Sequence, residues 1–146
     1  MGEQYGRLRA WFWQVVRHKM VWLLVGGAVG TLLRYWVGRW FNSQPWGQAF
    51  PYGTLFINVT GSFILGFASV VILERLPPRY ADLNLLVGIG FCGGYTTFST
   101  FELETYRLIR TASWPLALVN IGGSVLVSFA GVVLGVKLAE VLFPQQ

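Results

Sequence analysis

Nine consecutive residues stand out for the chemistry they could support: Gly93-Gly94-Tyr95-Thr96-Thr97-Phe98-Ser99-Thr100-Phe101. They close a run, Leu83 to Phe101, that carries no charged residue. Two adjacent glycines weaken a helix by roughly 1 kcal/mol each relative to alanine. Thr96, Thr97, Ser99 and Thr100 then offer hydroxyls where lipid offers no hydrogen-bonding partner. Backbone that leaves the helical pattern at membrane depth is tolerated only inside protein or beside a watery cavity. The stretch therefore reads as a transmembrane helix broken at Gly93–Thr97 that builds an ion site.

The groups available to that ion are neutral. Thr54, Asn58, Asn120, Ser124 and Ser128 add hydroxyls and amides from elsewhere in the chain, and such donors replace the water around a small anion. Phe98 and Phe101 lie three residues apart, so a helix projects both rings in similar directions. Ring edges carry positive quadrupole, so two edges in one channel could hold an anion without a fixed charge. Weak, repeated sites also let an ion leave. The plainer alternatives are ring packing and helix–helix hydrogen bonding.

Enzyme chemistry is not expected. The span interiors contain no histidine and no acidic residue; Glu102 and Glu104 fall just beyond the break, and His18 stands alone near the amino end. No metal cluster, catalytic triad or carboxylate pair can be assembled from this set. Lack of a buried acid also argues against proton-coupled exchange. Gly88-Ile89-Gly90-Phe91-Cys92-Gly93 matches GxGxxG, but it lies within an apolar run and not between a strand and a helix. The single cysteine, Cys92, excludes an internal disulfide.

The elements that must position these residues are helices in a bilayer. The chain has 146 residues, 54% hydrophobic and 12% charged, against about 25% charged in an average soluble domain. Its net charge of +5 comes from basic residues at the ends of apolar runs, which suits lipid head groups better than nucleic acid. Four spans are expected: Val21 to Gly38, Tyr52 to Leu73, Leu83 to Leu108 with the break, and Pro115 to Leu138. Gly26 and Gly30 in the first and Gly131 and Gly135 in the fourth have the small-xxx-small spacing of close helix contacts. Asn120, Ser124 and Ser128 recur every four residues and share one helical face. Arg34 either snorkels to the interface or draws anions to a pore mouth. Trp40 and Trp46, in the loop after the first span, suit head-group depth. Residues 1–19 form a separate basic, aromatic extension, read as a helix in the head-group plane, as a disordered extension, or as non-native residues before a start at Met20, ahead of a four-span domain at residues 20–146.

At this point Gly93 to Phe101 resembles the GGxTTFSTF signature of the Fluc fluoride channels, also called CrcB. The similarity extends to Gly27–Tyr35 with Arg34, to Gly53-Thr54-Leu55 with Asn58 and Gly61, and to the polar stripe of the fourth span, covering about Met20 to Phe143. The resemblance implies an all-α homodimer of four-helix subunits inserted antiparallel, with two fluoride pores, in a bacterial plasma membrane. Asn58 would be the pore asparagine, and Phe98 and Phe101 the phenylalanines whose edges meet fluoride. Thr54, Ser124 and Ser128 would line the polar track, as would Asn120, which stands where some members have tyrosine. A structural sodium ion at the dimer centre would be held by the backbone carbonyls of Gly93 and Thr96.

Basic residues bear on dual insertion, because orientation follows Lys/Arg bias. From Met20 onward, Arg75, Arg79 and Lys137 fall on one side, and Arg39, Arg107 and Arg110, with or without Arg34, on the other. That balance leaves orientation undecided, as dual insertion requires; adding Arg7, Arg9, Arg17 and Lys19 would tip it. The function expected is passive export of cytoplasmic fluoride. A small dual-topology multidrug-type transporter would need a buried acid in its first span, where there is none. A non-transporting assembly protein would not need a broken helix full of hydroxyls.

Overall fold

The computed structural model describes residues 2–145; within residues 2–18 the only side chains described are those of Trp13 and Val16. Among the described residues there is no strand. Helix α1 spans Gly2–Asn42, about 60 Å long at 1.5 Å per residue and so about twice the thickness of a bilayer's hydrocarbon. Its backbone runs without interruption through the boundary expected near Met20. The expectation of a basic face in the head-group plane concerns Arg7, Arg9 and Arg17, whose side chains lie outside the described residues.

Helix α2 spans Tyr52–Arg75, ending in wider π-type turns over Val70–Arg75. Helix α3 comprises Leu85–Cys92, wound in π-type turns, and Gly93–Tyr95. Helix α4 spans Phe98–Arg110 and α5 spans Trp114–Leu142, with π-type turns over Gly123–Val127. Lys19–Asn42, Tyr52–Arg75 and Trp114–Leu142 are each long and apolar enough to cross a membrane. Large apolar side chains such as Leu24, Leu126, Phe129 and Val141 face outward along them, as expected where the solvent is lipid.

Glycine sets how closely these helices approach. α1 packs on α3, where a Cβ on Gly26 would strike the Leu86 carbonyl oxygen and one on Gly30 the Phe91 carbonyl oxygen. The second half of α5 packs on α2 in the same way, Gly131 against Val59 and Gly135 against Phe63. The first half of α5 instead supports α4. Removing side chains from a contact lets two backbones come within van der Waals range, which is how helices gain packing energy where lipid is as apolar as leucine.

The helix break is narrower than Gly93–Thr97. Gly93, Gly94 and Tyr95 remain helical, and the backbone turns extended only at Thr96 (φ −79°, ψ 160°) and Thr97 (φ −153°, ψ 120°). The glycines do not cause it. Gly94 instead makes a close contact, its absent Cβ leaving room for the Gly27 carbonyl oxygen and Thr31 Oγ1. What breaks the helix is competition for the Thr97 backbone from another helix.

Candidate functional site

That competitor is Asn58, on α2. Its Oδ1 accepts from the Thr97 N–H at 2.8 Å, and its Nδ2 donates to the Thr97 carbonyl at 3.0 Å. One side-chain amide thus satisfies both backbone polar groups of a residue that has left the helix. The geometry matters because an unpaired buried backbone group costs about 1–3 kcal/mol. In an unbroken helix the Thr97 N–H would bond the Gly93 carbonyl; here that carbonyl is released. Thr97 also starts α4, its Oγ1 accepting from the Thr100 N–H at 3.3 Å as an N-cap.

Beside the clamp lies a cavity of about 520 Å³ with no charged residue in its wall. Asn58, Phe98, Phe101, Ser124 and Ser128 all border it, together with Gly93, Thr96 and Thr97. Residues from α2, α3, α4 and α5, up to 70 positions apart in sequence (Asn58 to Ser128), therefore converge on one space. The two phenyl rings touch, with centroids 5.5 Å apart and planes inclined at 50°. They are not equivalent: Phe101 is 6% exposed and Phe98 68% exposed. Ser128 Oγ is buried with no hydrogen-bond partner among the described residues, so it retains a donor and an acceptor for a ligand.

Two expected pore residues stand apart from this cavity. Thr54 is buried on α2 but borders a second cavity of about 600 Å³, with Arg34, Thr100 and Glu104. Thr97 borders both cavities. Arg34 borders the second cavity and donates from Nη1 to the Thr96 carbonyl at 3.2 Å, which ties it to the break. Asn120 is 0% exposed and bonds Thr105 instead of facing the cavity. Glu104 was not singled out by sequence reasoning, which set it beyond the break. The signal was available, since positions 101, 104, 105 and 108 form the inward face of α4.

The arrangement suits one chemistry. An anion in the first cavity would meet hydroxyls, an amide and two phenyl rings. No wall residue carries a full charge that would trap it. A guanidinium lies beyond the break, on the side of the second cavity.

Comparison with known proteins points the same way. Residues 21–136 match the family model described as CrcB-like protein, Camphor Resistance (CrcB). A protein of Solibacter usitatus (strain Ellin6076) is 43% identical over 123 residues, covering 84% of this chain and 98% of the relative. One of Roseiflexus sp. (strain RS-1) is 44% identical over 121 residues, covering 82% and 95%. One of Nitrobacter winogradskyi is 44% identical over 119 residues, covering 80% and 91%. All three relatives carry the name fluoride-specific ion channel FluC.

Proposed function

The chain belongs to the CrcB family, and from that premise we propose that it is a fluoride-selective channel that lets the ion leave the cytoplasm passively. The observation that carries the reading is the uncharged cavity beside the clamped break, with Phe98, Phe101, Ser124 and Ser128 in its wall. Fluoride is small and strongly hydrated, so it enters only where donors replace its water. Neutral donors do so without the deep well that a buried cation would create. Passive export is useful because HF crosses membranes, ionises inside and leaves fluoride trapped.

The channel is read as an antiparallel homodimer of four-span subunits, α3, the break and α4 together making the third span. Phe98 is a large apolar ring in the cavity wall, yet it is two-thirds exposed in one subunit; a second copy would cover it. A Cβ at Gly93, Gly122 or Gly123 would meet open space, unlike the glycines that join helices within the subunit. Those bare positions are where another copy could approach. The near-even division of basic residues from Met20 onward supports dual insertion. With reporters fused to the carboxyl end, functional full-length protein is expected on both sides of the membrane. Function with a single orientation would end the antiparallel reading.

The carbonyls of Gly93 and Thr96 fit a structural sodium ion. The Gly93 oxygen has lost its helical donor to Asn58, and a backbone carbonyl is a hard ligand suited to a hard cation. The Thr96 oxygen accepts from Arg34 and keeps a second lone pair. The sodium would lock the break in place and is not cargo.

One experiment tests function and ion together. Vesicles reconstituted with the protein and loaded with fluoride are expected to empty when made potassium-permeable, and to empty less readily if prepared throughout in a large organic cation instead of sodium. Vesicles that stay tight would overturn the channel. Equal efflux in both salts would remove the sodium alone.

A further inference from the structure

Asn120 lies too deep to meet an ion in the cavity of this subunit, yet it sits at the centre of a continuous polar chain. Its Nδ2 donates to Thr105 Oγ1 at 2.8 Å. Thr105 Oγ1 in turn donates to the Phe101 carbonyl at 2.8 Å. On the other side, Ser124 Oγ donates to Asn120 Oδ1 at 3.4 Å. The chain therefore joins the backbone that carries one cavity ring to a hydroxyl that borders the same cavity.

From this we infer that Asn120 and Thr105 form a pin that registers α4 against α5, and so sets the separation of the Phe101 ring from Ser124 across the cavity. Three observations carry the inference. First, α4 follows two extended residues and has its main support on α5, so its height is not inherited from α3. Second, among the described residues the Asn120–Thr105 bond is the one side-chain hydrogen bond between α4 and α5. Third, Asn120 stands one turn before the π-type segment Gly123–Val127, which carries Ser124. That segment begins at the second of two glycines, Gly122 and Gly123, whose missing Cβ atoms face open space, so neighbouring side chains of the same subunit do little to hold it. A fully buried amide can keep its hydrogen bonds only at one relative height of the two helices. Apolar packing alone tolerates sliding more readily.

The pin is a positioning device and rests on the channel reading. Its test uses the full-length protein in fluoride-loaded vesicles. Two quantities are separated: the fraction of vesicles that empty, which counts assembled channels, and the rate from each active vesicle, which reports the pathway. Asn120→Ala and Thr105→Val are each expected to slow the per-vesicle rate on the order of tenfold while the active fraction holds, because ångström-scale misplacement costs rate steeply. Combining them should cost no more than either alone, as expected when both break one interaction. Thr105→Ser keeps the hydroxyl and is expected to retain the parental rate. In a Phe101→Ile background, Thr105→Val should have little further effect.

Per-vesicle rates equal to the parent in both Asn120→Ala and Thr105→Val would overturn the pin while leaving the channel intact. So would a loss confined to the active fraction, which is what a merely structural contact predicts. If Asn120→Ala fails to assemble, the Thr105→Val and Thr105→Ser pair decides. A parent protein that does not conduct would overturn the channel reading and the pin with it.

Discussion

Replacing Asn58 with leucine is expected to reduce fluoride efflux by a hundredfold or more. The amide holds both backbone groups of Thr97. Leucine leaves an N–H and a C=O unpaired inside the protein, at about 1–3 kcal/mol each. At about 1.4 kcal/mol per tenfold, even the low end of that sum exceeds one decade. The chain can recover part of the cost by rewinding Thr97 onto the Gly93 carbonyl, but that closes the break and removes the cavity wall. Either route ends conduction. Asn58→Asp separates the contributions. The carboxylate can still accept from the Thr97 N–H, but it faces the Thr97 carbonyl with no donor and brings a negative charge to the cavity. It too is expected to be inactive. The measurement is efflux from vesicles at matched protein content, with monodisperse behaviour in detergent confirming assembly. Parental efflux in Asn58→Leu would show that the clamp does not maintain the pathway.

The second large effect is expected at the two rings. Phe98→Ile and Phe101→Ile should each slow efflux about tenfold, since an edge-directed aromatic interaction is worth roughly 0.5–1.5 kcal/mol. Changed together they should approach a hundredfold. The two single variants differ in what else they disturb. Phe101 is buried, so its replacement also costs packing and should lower thermal stability. Phe98 is 68% exposed in one subunit, and exposed substitutions usually change stability by less than about 0.5 kcal/mol. A slow but thermally normal Phe98→Ile channel would therefore locate its role in conduction. If both variants emptied vesicles as fast as the parent, the rings would be packing residues and the anion would be held by hydroxyls and amide alone.

These experiments address features that differ in how far the sequence foretold them. Asn58, Phe98, Phe101, Ser124 and Ser128 were identifiable as polar or aromatic exceptions within apolar runs, because their types and spacings are local. Their convergence on one cavity was not, since each side chain arrives from a different helix. The glycine spacings foretold which faces approach closely, but Gly94 was misassigned to the break. A Gly-Gly pair lowers helix propensity whatever surrounds it, and tertiary contact decided that this pair would pack against α1 instead. Arg34 had two admissible roles as a sequence feature; its bond to the Thr96 carbonyl, 62 residues away, was not among them.

By itself the sequence determined that this is a membrane protein, which stretch must depart from ordinary helix, and which residues are candidates to meet an ion. Those properties follow from hydropathy, propensity and spacing, and a single chain segment expresses them without help from the rest. Only the tertiary structure decided that the break falls at Thr96–Thr97, that Asn58 holds it open, that Thr54 belongs to a second cavity, and that Asn120 ties α4 to α5. Each of those outcomes depends on a buried polar group finding its partner on another helix, and the free energy of that pairing is absent until the helices have packed.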